Sequence, residues 1–382
     1  MRSAKTSNRA SKSCSPLADA GVDLARRVLT SAVADRVFPG AVAEIGHSRG
    51  TMWREPFGRL TFDADAAAAT HDTIFDLASL TKPLATTTLV LEQVARRRLQ
   101  LDEPLGDIFP EWRGADRSSV MVADLLEHTS GLPARLVDRP PMGRREFEHE
   151  ICASPLEYAP RTQSVYSDLG FILLGFLVSD RAGRSMREAL GPTARLLEML
   201  GRDDAANRAE RAVVDFAPIG EDRGTVAPTE PLDDDPRRGA RLTGAVHDHY
   251  AFLLGGAAGH AGLFGNAAGV SAYARATLRA LRAEQAHHSG MSRDLVIRSI
   301  QRSDVPGSSR ALGWDTMLPS SSCGTRMSAL AIGHVGFTGT SLWIDPVSDR
   351  YFILLTNRAC GGGSLAHMRD VRRAFHDALS EV

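Results

Sequence analysis

The chain has 382 residues, of which 43% are hydrophobic and 24% are charged, as is ordinary for a soluble globular protein. Its 45 Lys and Arg residues against 46 Asp and Glu residues give a formal net charge of -1. This balance argues against a nucleic-acid partner, because such a partner favours a clustered basic surface. No apolar run approaches the roughly 18 residues that a membrane-spanning helix needs, so no membrane span is predicted.

The first part of the chain predicts a tail, a helix and a strand, in that order. Residues 1–17 are basic and serine-rich and contain no apolar segment of the secretory-signal kind, which predicts a disordered tail and a cytoplasmic protein. Residues 18–37 predict an amphipathic helix that ends before Pro39-Gly40, and residues 41–45 predict a strand that turns back near Gly50.

Ser79 and Lys82 are three residues apart where a new helical pattern begins, with Leu80, Leu84 and Leu91 at helical spacing. Residues three apart share a helix face, so the Lys82 amine can reach the Ser79 hydroxyl. A neighbouring base makes a serine a good nucleophile, and a helix N-terminus offers a positive dipole end to an oxyanion. The same residues also fit an N-cap serine beside a solvated lysine.

The middle and end of the chain differ in their patterns. Residues 100–300 predict mostly helices and long loops, with helices at 122–127, 169–178 and 267–281. The last eighty residues predict strands at 329–332, 340–344 and 351–355, and then a helix at about 364–380. The predicted class is therefore α+β, an α/β sandwich in which an antiparallel sheet from both terminal segments is flanked by helices and meets a mostly helical lobe.

Two more elements carry side chains suited to chemistry. Tyr166-Ser167-Asp168 opens an apolar helix, so Ser167 or Asp168 suits an N-cap, while the Tyr166 hydroxyl can instead project into a cleft. His334-Val335-Gly336 precedes a strand, and its glycine either lets the backbone approach a ligand or marks a bulge.

Other polar clusters predict loop packing instead of a site. His247, His249 and His260, near Asp248, match no zinc spacing, so no metal is expected. The glycine-rich run at 255–262 lacks the Gly-Lys-Ser/Thr ending of a phosphate loop, which argues against nucleotide binding. The four cysteines, at positions 14, 152, 323 and 360, show no CxxC spacing, and reduced thiols are expected.

The order Ser-x-x-Lys, Tyr-Ser-Asp and His-Val-Gly resembles the serine β-lactamase and penicillin-binding-protein superfamily. Because the middle element begins with Tyr, it is most similar to the branch of class C β-lactamases and D-alanyl-D-alanine carboxypeptidases. Other segments that resemble this family are His128-Thr-Ser-Gly-Leu-Pro133, Gly336-Phe-Thr-Gly-Thr-Ser341 and Leu355-Thr-Asn357. The resemblance covers roughly residues 20–380.

The resemblance implies a single β-lactamase-related domain over residues 18–382. Its α/β lobe would comprise about 18–78 and 300–382, and its helical lobe about 79–299. It also implies an acyl-enzyme mechanism that uses neither a metal nor an organic cofactor.

Roles for individual residues follow from the resemblance. Ser79 would be acylated, Lys82 would take or relay its proton, and Tyr166 would be the general base and acid. The backbone N–H groups of Ser79 and Phe337 would form the oxyanion hole. Asp168, His334 and Gly336 would line the substrate-binding site.

Two departures from the family pattern bear on the substrate. Asp168 stands where the lactamase-like pattern has Asn, and its carboxylate would repel a substrate carboxylate unless it pairs with Lys82. His334 and Val335 stand where the pattern has Lys and Thr, so the site has less positive charge and one hydroxyl fewer. Both departures weaken the case for efficient β-lactam hydrolysis.

The predicted function is that of a serine hydrolase acting on a β-lactam, a D-amino-acid peptide, or a small ester or amide. One alternative is a carboxylesterase-like hydrolase without β-lactamase activity, and another is a catalytically silent homologue that binds peptides. Intact Ser79, Lys82 and Tyr166 favour an enzyme, whose partner would be a small-molecule or peptide substrate. The oligomeric state stays open.

Overall fold

The computed structural model of the protein describes residues 16–136, 140–202, 204, 211–216, 226–282, 292–380 and 382. The predicted tail lies outside the described residues up to position 15, as does Cys14. The strands are β1 (Gly40–His47), β2 (Gly50–Gly58), β3 (Phe75–Asp76), β4 (Val214–Phe216), β5 (Leu263–Gly265), β6 (Asp315–Thr316), β7 (Ile332–Val335), β8 (Ser341–Asp345) and β9 (Arg350–Thr356). The helices are α1 (Pro16–Ala34), α2 (Thr88–Ala95), α3 (Leu105–Ile108), α4 (Val122–Leu126), α5 (Arg144–Ala153), α6 (Asp168–Ala182), α7 (Met186–Arg202), α8 (His249–Leu253), α9 (Ala267–Leu281), α10 (Arg293–Ile300) and α11 (Leu365–Leu379).

The larger sheet joins strands from both ends of the chain. Its order is β2-β1-β9-β8-β7-β6, and every neighbouring pair is antiparallel. β1 therefore lies between β2, its hairpin partner, and β9, which comes from the last forty residues. This arrangement confirms the predicted α+β class.

Side-chain alternation gives the larger sheet two apolar faces. In β9, Ile353 and Leu355 face the core that is shared with the helical middle of the chain, whereas Phe352 and Leu354 face α1 and α11. α1 and α11 pack on each other over this second face. The sheet is thus a middle layer, and the end of β7 meets the segment that carries Ser79.

The predicted elements differ from the observed ones mainly at their ends. α1 ends at Ala34 and not at residue 37, and β7 begins at Ile332, so the strand predicted at 329–332 was wrong in position. Leu330, which belonged to that predicted strand, is 61% exposed. Its neighbour Ala331 donates its backbone N–H to the Ser328 carbonyl and so belongs to a turn.

A second sheet, with the order β3-β5-β4, was not predicted. Its strands have two or three residues each, too few to give a periodic pattern. β3 leads directly into the Ser79 turn, so this small sheet fixes one side of the candidate site. The division of the chain into an α/β lobe and a helical lobe stays a prediction.

The sequence predicts no membrane-spanning helix, and the helices of the structure bear on this prediction. In the part of the chain that the structure describes, no helix is both long and apolar enough to cross a bilayer.

Candidate active site

Ser79 lies in a 3-10 turn, Ala78–Leu80, between β3 and a π-helical segment, Lys82–Thr87, that leads into α2. Ala78 has a φ of 48°, in the left-handed region that residues with a side chain rarely adopt. The buried Asp76 stabilises this turn, because its two carboxylate oxygens accept the backbone N–H groups of Ala78 at 2.8 Å and His247 at 2.7 Å. Burial raises the pKa of Asp76 to about 6, against the effect of these two hydrogen bonds.

The C-terminal part of the chain supports the same turn from the other side. The Thr338 hydroxyl donates to the Asp76 carbonyl at 2.7 Å, and the Thr340 hydroxyl donates to the Leu77 carbonyl at 3.0 Å. Both threonines are fully buried. The turn before Ser79 is therefore held by side chains more than 250 residues away along the chain, as the separations of 262 and 263 residues show.

The Lys82 ammonium uses all three of its N–H donors. It donates to Ser79 Oγ at 3.1 Å, to Asp168 Oδ1 at 2.8 Å and to the His260 carbonyl at 3.1 Å. Burial lowers the pKa of Lys82, but the neighbouring oxygens of Asp168 and Tyr166 outweigh it, and the pKa ends above its usual value. Lys82 is therefore a charged ammonium at neutral pH.

Tyr166 lies directly before α6, and its ring lines the cavity that Ser79 also lines. The ring centroid is 4.8 Å from Lys82 Nζ. His128 holds the segment on both sides, because its carbonyl accepts the Val165 N–H and its Nδ1 accepts the Ser167 N–H, each at 3.0 Å. Ser167 also caps α6, so the predicted cap and the predicted cleft position of Tyr166 occur together.

The end of β7 runs against the Ser79 turn. A Cβ on Gly336 would lie 2.7 Å from the Leu77 carbonyl oxygen and 3.2 Å from Ala78 Cβ, so only a glycine allows this approach. The close contact brings the backbone of Phe337 beside the turn that carries Ser79. The Phe337 side chain itself is 36% exposed.

His334 adds no positive charge to the part of the site that β7 forms. Burial, followed by the charges of Lys82 and Arg310, lowers the pKa of His334 well below its usual value. Its Nδ1 lies 3.0 Å from the Val335 carbonyl, which makes Nδ1 the protonated nitrogen of a neutral ring. The prediction of a neutral imidazole in place of a lysine ammonium agrees with this environment.

A chain of charged groups that the sequence did not indicate extends from Asp168. Arg135 contacts both Asp168 at 3.4 Å and Asp248 at 3.2 Å, and Asp248 Oδ1 lies 2.7 Å from His260 Nε2. The sequence predicts loop packing for His260 and Asp248, yet the His260 carbonyl is a direct partner of Lys82. In the sequence, the feature that could have indicated the role of His260 is the glycine-rich run at 255–262, which contains it.

That glycine-rich run packs directly on α6. A Cβ on Gly259 would lie 1.9 Å from the Phe171 carbonyl oxygen, and one on Gly175 would lie 2.8 Å from the Gly259 nitrogen. The run thus serves close backbone packing, which places the next residue, His260, within reach of Lys82.

Ser79 and Tyr166 open onto a cavity of about 840 Å³. Arg310 also lines it, with its guanidinium carbon 5.1 Å from the centre of the Tyr166 ring, and so brings a positive charge to the wall. Sequence reasoning missed Arg310, because nothing in its local pattern distinguishes it from a surface arginine. Among the described residues, no cluster of three or more His, Cys, Asp or Glu side chains is arranged to hold a metal ion.

Comparison with known proteins places this geometry in context. Residues 25–376 match a family model described as Beta-lactamase. A putative D-alanyl-D-alanine carboxypeptidase of Escherichia coli (strain K12) is 27% identical over 327 residues, which cover 76% of this chain and 70% of that protein. An N-acetylmuramyl-L-alanine amidase of Bacillus subtilis (strain 168) is 28% identical over 314 residues, covering 75% and 68% of the two chains.

Solved structures share the fold at low identity. EstCE1, a hydrolase with promiscuous acyltransferase activity, superimposes with a TM-score of 0.71 at 18% identity, covering 95% of this chain and 100% of that chain. A beta-lactamase from Sulfitobacter sp. EE-36 superimposes with a TM-score of 0.72 at 19% identity, covering 95% and 97%. These similarities confirm the predicted fold, and the matching family model confirms the resemblance seen in the sequence.

Proposed function

The chain belongs to the beta-lactamase family, and from its site we propose that it is a serine hydrolase that works through an acyl-enzyme at Ser79. The observation that carries this proposal is the 3.1 Å hydrogen bond from Lys82 Nζ to Ser79 Oγ, beside the Tyr166 ring, at the wall of a large cavity. A nucleophile, a charged partner and an ionisable phenol thus meet where a substrate can enter.

In this mechanism the Ser79 proton goes to Tyr166. Because Lys82 is an ammonium that donates to Ser79 Oγ, the hydroxyl proton of Ser79 points away from Lys82. In this proposal Tyr166 takes the proton as the phenolate, and the Lys82 ammonium, 4.8 Å from the centre of the ring, supplies a positive charge beside it. Lys82 therefore acts as a fixed positive charge that orients the nucleophile, and Tyr166 acts as the general base.

The remaining steps follow from the same groups. Ser79 Oγ bonds to the substrate carbonyl carbon, and the N–H groups of Ser79 and Phe337 stabilise the oxyanion. The bond to the leaving group then breaks as Tyr166 returns the proton to that group. Water finally attacks the acyl carbon as Tyr166 takes one of its protons. The bond from that carbon to Ser79 Oγ then breaks, Tyr166 returns the proton to Ser79 Oγ, and the acid leaves.

The substrate that fits these residues best is an ester or an amide other than a β-lactam. His334 is neutral and Val335 has no hydroxyl, so the β7 edge offers less to a β-lactam carboxylate than the Lys-Thr pair of the family pattern. Asp168 is paired with Lys82 at 2.8 Å, so its charge does not act alone on a substrate.

A second candidate is D-alanyl-D-alanine carboxypeptidase activity, and one specific observation favours it. Arg310 supplies a guanidinium at the cavity wall near Tyr166, where it can pair with a terminal carboxylate. The E. coli relative that matches most of this chain is named as a putative enzyme of this kind.

The test uses three probes: p-nitrophenyl acetate, a fluorescent penicillin and a peptide ending in D-alanyl-D-alanine. We expect an acyl adduct that mass spectrometry assigns to Ser79, and turnover that Ser79→Ala abolishes. Ser299→Ala is a matched control, because its hydroxyl donates only within α10, to the Val296 carbonyl. Turnover of the peptide selects the second candidate, and an absence of both adduct and turnover with all probes would leave the silent peptide-binding homologue.

A further inference from the structure

Arg372, on α11, directs its guanidinium at the backbone of the turn that follows β7. It is buried, at 5% exposure. It donates to the Gly336 carbonyl at 2.7 Å, the Thr340 carbonyl at 3.1 Å and the Gly339 carbonyl at 3.3 Å. A single arginine therefore holds three carbonyl groups of one five-residue segment, 336–340.

Arg358 holds the next peptide unit of the same segment. Its Nη2 and Nε donate to the Phe337 carbonyl at 2.6 and 3.1 Å, and its Nη1 donates to the Gly363 carbonyl at 3.0 Å. Two consecutive peptide units, those after Gly336 and after Phe337, are thus each held by a separate guanidinium.

Neither arginine is neutralised by an acid. Within the described part of the chain, no carboxylate forms a salt bridge with Arg358 or Arg372. Burial, and then the charge of Arg358, lowers the pKa of Arg372 to about 9, which still leaves it charged at neutral pH. Burying a cation without a counter-ion is unfavourable, and neutral donors would satisfy the same carbonyls. Hydrogen bonding alone therefore does not explain why the side chains that hold this turn are positively charged.

The peptide plane connects Arg372 to the chemistry. The Gly336 carbonyl and the Phe337 N–H belong to one trans peptide unit, so they point in opposite directions. A guanidinium on the Gly336 oxygen thus directs the Phe337 N–H away from α11. The same contact polarises the peptide and strengthens its N–H as a donor, as in other chains of hydrogen bonds.

We propose that Arg372 is a positioning residue for the oxyanion hole: it fixes the Gly336–Phe337 peptide and strengthens the Phe337 N–H that meets the developing oxyanion. Arg358 supports the same peptide through its hydrogen bonds to the Phe337 carbonyl. This inference rests on the proposed acyl-enzyme function. Because the oxyanion exists only in the transition state and the tetrahedral intermediate, the contribution belongs to kcat and not to KM.

The test compares Arg372→Met and Arg372→Lys with the unaltered protein, using p-nitrophenyl acetate and phenylboronic acid, which forms a tetrahedral adduct on a reactive serine. For Arg372→Met we expect kcat to fall by about 10- to 100-fold, less than the loss of a whole oxyanion-hole donor, with KM nearly unchanged. Affinity for the boronic acid should fall in parallel. Arg372→Lys, which keeps a charge and a donor, should lie between the two.

Arg373 is the matched control, since it is the next residue on α11 and also donates to carbonyls, those of Pro319 and Ser321, outside the site. Arg373→Met should leave kcat and boronic acid affinity unchanged. If Arg372→Met folds poorly, Arg372→Ala with added guanidinium provides the second measurement, and added guanidinium should restore kcat.

The outcomes separate the two proposals. Unchanged kcat and boronic acid affinity per folded molecule in Arg372→Met, or no restoration by guanidinium in Arg372→Ala, would make Arg372 purely structural and overturn the inference. If the unaltered protein forms no adduct at Ser79, the proposed function itself fails and the inference falls with it.

Discussion

At the scale of single residues, Asp168 sets the charge of Lys82. Lys82 is fully buried, a position that favours the neutral amine, and the carboxylate 2.8 Å away is the largest of the influences that reverse this preference. An asparagine at position 168, as in the lactamase-like pattern, would leave the amine without its counter-ion. In this chain the departure from the family pattern therefore supplies the counter-ion of the central lysine.

Replacement of Asp168 with Asn tests this assignment. The carboxylate is the largest influence that raises the pKa of Lys82, so its loss lowers that pKa and the ammonium loses its proton at a lower pH. Because the mechanism needs the charged form, the alkaline limb of the kcat/KM profile should move to lower pH. Breaking a buried pair should also destabilise the fold by about 3 kcal/mol, measured by denaturant unfolding.

The control for Asp168→Asn is Asp180→Asn, near the other end of α6. Asp180 pairs with Arg144 on the surface, where an ion pair is worth less than about 1 kcal/mol. It should change neither the pH profile nor the stability appreciably. A faster reaction at neutral pH in Asp168→Asn would contradict the assignment, because Lys82 would then be acting as a neutral base.

The residues that the sequence indicated and those it did not differ in one physical respect. Ser79, Lys82 and Tyr166 stand in short motifs, each at the start of a helix, and the structure brings them together. Arg310 and Arg372 reach the same cavity as isolated arginines in segments without a motif. Their role depends on which surface the fold places them against, and that information is not local.

At the scale of elements, prediction was best where the pattern was long. The strands at 340–344 and 351–355 match β8 and β9, and the helix at 267–281 matches α9. The helix predicted from Ser79 begins instead as a 3-10 turn and a π-helical segment, which leads into α2. The helical spacing of apolar residues does not distinguish a 3-10 turn or a π-helical segment from an α-helix. Residues distant in sequence hold the Ser79 turn, and the local pattern does not contain them.

The approach of β7 to the Ser79 turn can be tested with Gly336→Ala. The added Cβ would meet the Leu77 carbonyl oxygen at 2.7 Å, a contact with backbone that cannot rotate away. We expect the end of β7 to shift from Ser79 and kcat to fall by about 10- to 100-fold, because the oxyanion donors lose their spacing. Steady-state kinetics with p-nitrophenyl acetate measure the change in kcat. The substitution should also lower the free energy of unfolding by about 1–3 kcal/mol.

Gly106→Ala is the control for Gly336→Ala. Gly106 is exposed in α3, and a Cβ there would make only an ordinary contact, 3.5 Å from the Trp112 carbonyl oxygen. It should leave kcat unchanged. If Gly336→Ala kept full activity, the close contact between β7 and the Ser79 turn would have no part in catalysis.

At the scale of the whole molecule, buried histidines link stability to pH. Burial lowers the pKa of His376 to about 3 and those of His128 and His334 well below the usual value. Nearby cations, among them Arg372 beside His376, act in the same direction. All three imidazoles are thus neutral in the folded protein. His128 and His334 both pack against the Tyr166 ring, whereas His376 lies in α11.

These histidines predict loss of stability in mild acid. A group whose pKa is lowered by folding stabilises the fold above its unfolded pKa, here 6.5, and this contribution is lost as the pH falls towards the folded value. Three such groups remove about 3 kcal/mol between about pH 6.5 and about pH 5.5. Asp76, whose pKa burial raises to about 6, opposes this loss in part.

Replacement of His376 with Asn should reduce this dependence by about 1 kcal/mol over the same pH interval, because one of the three protonation sites is removed. The measurement is the slope of the unfolding free energy against pH, so a lower stability at neutral pH does not affect the result. The control is His149→Gln, since His149 is exposed and Glu111 raises its pKa, so it cannot produce the acid loss. An unchanged slope in His376→Asn would mean that His376 binds its proton in the folded protein, and that α11 packs less closely on the sheet than its burial requires.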